Sequence, residues 1–292
     1  MRLSVNRYRK ILFQHLDGIV CIPTIFALHK TDILNSIIKK KSFSIEDLLK
    51  EKNISAGYFN VSLRTLRSLN FLNYEYKNNE LKDIYHLNNN FLKILNYIEQ
   101  IQLIDKILYY HMNYNKLSKI ELENYITQIE NFNLTKLKEE STDNYYNLFE
   151  GIIIGPILAN ISFYRHLHIT NNNINITNKC WEFNQSILEL FKKVNYLNNN
   201  NEITSKGLYF FTKSSSYGVT VSYLNTFNNL SNMLTTNPNF IWERTNSSHE
   251  IHVNRKMNVW GSGGSHKAYF KKADSIIIDI FNQNIDEQPK GI

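Results

Sequence analysis

"DGIVCIPTI", residues 17–25, returns as "EGIIIGPIL", residues 150–158. Each copy runs acid, glycine, isoleucine, then a proline four residues on. A second echo follows each copy: "LNFLN" at 69–73 and "VNYLN" at 194–198. Two matched markers in the same order read as an internal repeat, so the chain is expected to hold two related units.

The first unit is the easier to read. "SIEDLLKEKNIS" opens with Ser44 as a cap, and Glu46 and Asp47 suit the positive end of a helix. "YFNVSLRTLRSLNFL" places Val61, Leu63, Leu66 and Leu69 near helical spacing. "LNYEYKNNELKDIYHLN" reads as two short strands around a turn at Asn78–Asn79. Helix, turn, helix, hairpin is the order of a winged helix. After the second echo, "NNNNEITSKGLYFF" reads again as a turn, a strand and a short follow-on, while runs such as "NNNINITN" read as enlarged loops.

The expected architecture is mainly α with small β wings. It comprises a first winged-helix-like unit (1–90), a helical connector (91–148), a second winged-helix-like unit (149–240) and a glycine-rich closing segment (241–292). Amphipathic Leu, Ile and Tyr stripes mark the connector as core or a helix–helix interface. "SYGVTVSYLNTFNNLSNMLTTNPNFIW" reads as a helix ending near Asn237–Pro238. In the closing segment Ser265 is expected to cap a helix from His266 to about Phe281, and Gly291–Ile292 to begin a strand.

The 292 residues carry a formal charge of +7 and two cysteines, Cys21 and Cys180, in apolar settings. Neither a disulfide framework nor a zinc site follows from them, and a reducing cytoplasm fits. The basic, then apolar N-terminus is interrupted by His15, Asp17 and Pro23, with no small-x-small cleavage site after it, so neither a signal peptide nor a membrane span is expected. The lysines are scattered. Arg64 and Arg67 lie on a largely apolar second helix beside a wing of mixed charge, a poor surface for reading DNA, so nucleic acid is the lesser expectation.

"HLDGIVCIPTIFAL", "SYGVTVSYL", "HEIHVNRKMNVWGSGGSHKAYFKKAD" and "DEQPKGI" together resemble the N-terminal region of class I S-adenosylmethionine-dependent methyltransferases. The likeness is greatest to those of polyketide synthase assembly lines. It extends over essentially the whole chain and is most specific in the last fifty residues. It implies a lid of helices and wings over a Rossmann core, with the chain stopping before that core. It implies methyl transfer to an acyl group held on an acyl carrier protein, with S-adenosylmethionine bound by the core and not by this segment. A divalent metal is used by some relatives. Without the core, the lid is expected to be inactive and to form dimers or aggregates through the face left bare.

Candidate site residues follow. Tyr217, Tyr223 and Trp260 are expected to line an apolar substrate tunnel or to pack in the core. Arg255, with Lys256 beside it, suits a carboxylate or phosphate. His249 and His252, with His266 nearby, are candidate metal ligands or surface histidines, since a two-residue gap shares a face only on a helix. Gly261, Gly263 and Gly264 in "VWGSGGSH" lack the G-x-G-x-x-G frame of a dinucleotide loop. They are expected to form a hinge and one wall of the cleft. Ser262, Ser265 and His266 lack an acidic partner, which argues against a hydrolase.

Overall fold

The computed structural model describes residues 2–77 and 82–290. Two long helices form its centre, α1 (Arg2–Lys30) and α10 (Asp143–Phe163), with elements numbered in chain order. They carry the two halves of the repeated motif, and those halves pack on each other. A Cβ placed on Gly18 would lie 2.0 Å from the Leu148 carbonyl oxygen, and one on Gly151 would lie 2.3 Å from the Cα of His15. Each glycine therefore faces the residue three places before the other glycine, and the crossing has a local two-fold pseudosymmetry. Side chains are absent where the backbones meet, which is what lets the helices approach so closely. Each helix also contains a proline, Pro23 and Pro156, five residues after its glycine. The residues around the crossing, Ile19, Ile22, Ile152, Ile153 and Ile154, are fully buried.

Both helices are long and apolar enough to cross a membrane, a property the interrupted sequence pattern had not suggested. In this fold 61% of the candidate window in α1 and 83% of that in α10 is buried inside the protein.

The first unit has the winged-helix order. It comprises α2 (Ile33–Lys40), β1 (Ser42–Ser44), α3 (Ile45–Glu51), α4 (Ala56–Ser68), β2 (Leu72–Lys77) and β3 (Lys82–Leu87). The antiparallel sheet runs β1-β3-β2. Ser44 caps α3 as expected, in a reciprocal capping box with Asp47. The turn expected at Asn78–Asn79 lies outside the described residues. The connector forms α5 (Asn89–Leu95), α6 (Ile98–Gln102), α7 (Ile104–Asn113), α8 (Lys119–Phe132) and α9 (Leu134–Glu140).

After α10 the chain departs from a copy of the first unit. A hairpin, β4 (Leu167–Thr170) with β5 (Asn173–Ile176), comes before α11 (Trp181–Lys193). Its turn is Asn171–Asn172, both at positive φ (47° and 64°). Asparagine tolerates that region, so part of a stretch read as loop is a tight hairpin. The second echo does hold: α4 and α11 both end on a left-handed asparagine, Asn70 (φ 58°) and Asn195 (φ 62°). Matching backbone bonds follow, Phe71 N–H to Leu66 O and Tyr196 N–H to Phe191 O. Beyond it the expected strand shrinks to an isolated bridge, Leu197 with Ile203. "SKGLYFFT" is helical, α12 (Ser205–Thr212), because Thr204 caps it through the Gly207 N–H. The long helix expected over 216–237 is broken into a 3-10 turn and α13 (Gly218–Ser222), α14 (Leu224–Asn228) and α15 (Leu230–Thr235).

The largest correction concerns the closing segment. It forms one helix, α16 (Arg255–Phe281), begun by Asn254, whose side chain accepts from the Met257 N–H. Ser265 is inside this helix and not at its start. No glycine among the described residues has positive φ, so Gly261, Gly263 and Gly264 form no turn. The helix does end at Phe281, as expected. The strand expected at Gly291–Ile292 lies outside the described residues.

Candidate functional site

A cleft of about 270 Å³ opens where α7, the end of α10, the α13–α14 segment and the loop before α16 meet. Its polar lining includes His111, Asn160, Ser222, Asn225 and Asn254, with Tyr164, Val221 and Met257 as apolar walls.

The wall formed by residues 250–254 has little regular structure, and side chains hold it. Asn225 Nδ2 donates to the Ile251 carbonyl (2.7 Å), Thr226 Oγ1 donates to the His252 carbonyl (2.8 Å), and the Asn254 N–H donates to the Ser222 carbonyl (2.8 Å). The Arg255 guanidinium adds a two-pronged bond to Glu250, 2.5 and 2.6 Å. Such a fork fixes orientation as well as charge, and it holds the Glu250 carboxyl below its ordinary range.

The floor is a buried relay. His111 Nε2 lies 3.1 Å from the Ile152 carbonyl, which can only accept, so Nε2 carries the hydrogen. Nδ1 then accepts from the Tyr125 hydroxyl at 2.5 Å. Burial lowers the His111 pKa to about 3, so the ring is neutral near pH 7. Asn160 Nδ2 donates to the His111 carbonyl and links α7 to α10.

The expected site residues are only partly gathered here. Tyr223 and His252 stand beside the cleft with ring centroids 6.3 Å apart, and Arg255 is committed to Glu250. Tyr217 is in the core instead, its hydroxyl 2.7 Å from His15 Nδ1. Trp260 packs edge-on to Phe163 and against Gly218. His266 is on the exposed part of α16, with Ser262 Oγ 3.3 Å from its Nδ1 and the rings of Tyr269 and Phe270 nearby. His111 and Asn160 escaped the sequence reading. The one signal for His111 was a polar residue at a core position of an apolar helix, after Ile104, Ile107 and Leu108.

Gly261 and Gly264 pack closely instead of bending. A Cβ on Gly261 would meet Gly218 and Val219 backbone atoms at 2.6–2.7 Å, and one on Gly264 would meet Ser215 Oγ at 2.6 Å. Gly263 has open space around its Cβ position.

Three families match parts of the chain. Residues 8–74 match the AprA N-terminal domain, residues 150–237 the AprA winged helix domain, and residues 250–292 the AprA MT2-like domain. Together the three matches support an AprA-type, methyltransferase-associated region. No curated protein matches the chain. The N-terminal match runs from α1 to the first half of β2, so it includes β1 but stops before β3, the central strand of the sheet. The match to the winged helix domain runs from within α10, at Glu150, through α15, and that to the MT2-like domain takes in the cleft wall and all of α16.

Among the described residues S-adenosylmethionine finds no Rossmann-type cradle. The glycines there are helical and the sheets antiparallel, so no parallel strand ends in a glycine turn to receive a nucleoside. His249 is exposed. Among the described residues the group of three potential metal donors within 4.8 Å of one another is Glu123, Cys180 and Glu182, which includes neither His249 nor His252.

Proposed function

We propose that this region is the substrate-covering lid of an S-adenosylmethionine-dependent methyltransferase acting on an acyl, polyketide-type substrate held on a carrier protein. The methyl donor is held by a separate methyltransferase core, and this region alone does not turn over. One observation carries the reading: α16 begins in the cleft wall at Asn254 and continues, within the segment matching the MT2-like domain, into an exposed half that carries Tyr269, Phe270, Ile276, Ile277, Ile278 and Phe281. A helix with so much uncovered apolar surface suits packing on another domain.

In this reading the core packs on α16 and the 270 Å³ cleft supplies the acceptor wall. Asn160, Asn225 and Asn254 offer amides to orient a carbonyl. The neutral His111 keeps the floor free of charge. Catalysis by the lid rests on holding the acceptor in line and excluding water.

The test is methyl transfer from radiolabelled S-adenosylmethionine to a carrier-bound acyl substrate, with this region joined to a methyltransferase core. Transfer is expected only when both parts are present. A core that methylates the carrier-bound substrate equally well without this region overturns the lid reading.

A further inference from the structure

About 20 Å along α10 from the cleft, counting the rise from Asn160 back to Asn147, a second and larger cavity of about 630 Å³ opens. Its walls come from α1, α9, the start of α10 and the start of α12. We propose that it binds a soluble phosphate ester, a function separate from the lid reading.

The charge is arranged for an anion. Arg7 and Lys10 of α1, Lys138 of α9 and Lys206 of α12 line the cavity, and no aspartate or glutamate stands among the described residues of its wall. Lys206 is already balanced: it bonds both oxygens of the buried Glu150 at 2.8 and 3.1 Å. Arg7, Lys10 and Lys138 have no carboxylate partner among the described residues. Three unneutralised cations around one concavity repel one another, and an anion among them removes that cost.

Neutral donors point the same way. Gln14 Nε2 donates to Asn144 Oδ1 and Asn147 Nδ2 donates to Gln14 Oε1, both at 2.8 Å. The direction of this amide chain leaves the Asn144 NH2 without an acceptor among the described residues. Asn144 and Asn147 belong to the first turns of α10, and Ser205 and Lys206 to the first turn of α12. Two helix N-termini thus add positive potential at the same cavity. A concave wall of this volume suits a compact solute, whereas a membrane surface calls for a broad, flat basic face.

The test is calorimetric titration of the whole chain with glycerol phosphate and inorganic phosphate, with parallel sedimentation against phosphatidylserine vesicles. Saturable binding of glycerol phosphate is expected. The double variant Lys10→Gln/Lys138→Gln is expected to weaken it at least about tenfold, with an unchanged thermal melt because both side chains are exposed. Lys272→Gln, on the exposed part of α16, leaves it unchanged. Absence of saturable binding, equal affinity in the double variant, or binding to vesicles without binding to the soluble phosphates overturns the proposal.

Discussion

Gly218 and Gly261 touch backbone to backbone. A Cβ on either would stand 2.7 Å from the Cα of the other, so α16 is joined to α13 by a contact that leaves no room for a side chain. The glycine-rich run is a packing surface, and its three glycines are not equivalent. Gly261→Ala is expected to cost about 1–3 kcal/mol, because backbone must move on both sides. Gly263→Ala is expected to stabilise by about 0.5–1 kcal/mol, since the site is helical and open. Urea denaturation of the two variants decides the matter. A flexible hinge would give the opposite ranking or no ranking.

The α1–α10 crossing makes the same demand twice. Gly18→Ala and Gly151→Ala are each expected to destabilise by at least about 1–3 kcal/mol, since the atoms they would strike, the Leu148 carbonyl and the His15 backbone, cannot rotate away. Gly57→Ala, on α4 with nothing within 4 Å, is the matched control and is expected to be neutral or stabilising. Thermal melts of the three variants provide the check.

What the sequence revealed, and what it hid, follows from the kind of interaction involved. The capping box at Ser44 is local and was legible; of the stripe expected on α4, Leu63 and Leu66 are buried, but Val61 is exposed and the face is completed by Phe59 and Ser62. The repeat at Gly18 and Gly151 was legible as a pattern, but its meaning was not: the two copies are the two sides of one contact. The "WGSGG" helix was misread because intrinsic propensity disfavours glycine there, while packing on Gly218, Val219 and Ser215 reverses the preference. The sequence leaves Tyr217 between tunnel wall and core because nothing local announces its partner, His15, which is 202 residues away. The cleft is equally non-local, joining α7, α10 and the loop before α16.

Two buried histidines make stability fall in mild acid. Burial lowers the pKa of His15 to about 4 and that of His111 to about 3, from an ordinary 6.5. Glu150, 3.6 Å from His15 Nε2, opposes part of the first shift. Below pH 6.5 the unfolded chain takes up protons that the folded chain refuses, so the unfolded state is favoured as pH falls. The loss runs from pH 6.5 down to about 4 for His15 and about 3 for His111. It amounts to roughly 3–5 kcal/mol per histidine over the full range. Denaturant melts between pH 7 and 5 are expected to show this slope, and His111→Gln to reduce it. Stability that is flat over that interval would mean the rings are not held neutral.

The exposed half of α16 predicts self-association when no core covers it. Ile276, Ile277, Ile278 and Phe281 are each between 44% and 57% exposed on one stretch of helix, with Tyr269 and Phe270 a few turns earlier. Such a surface lowers its free energy by meeting another apolar face, at about 25 cal/mol per Å² covered. Light scattering of the isolated chain is expected to show mass rising with concentration. Ile277→Lys/Phe281→Lys is expected to restore the monomer without lowering the melting temperature, because neither side chain belongs to the core. In the joined enzyme the same pair is expected to reduce methyl transfer, since the charged helix no longer receives the core. A clean monomer in the unsubstituted chain, together with full activity of the charged variant in the joined enzyme, would remove α16 as the docking element.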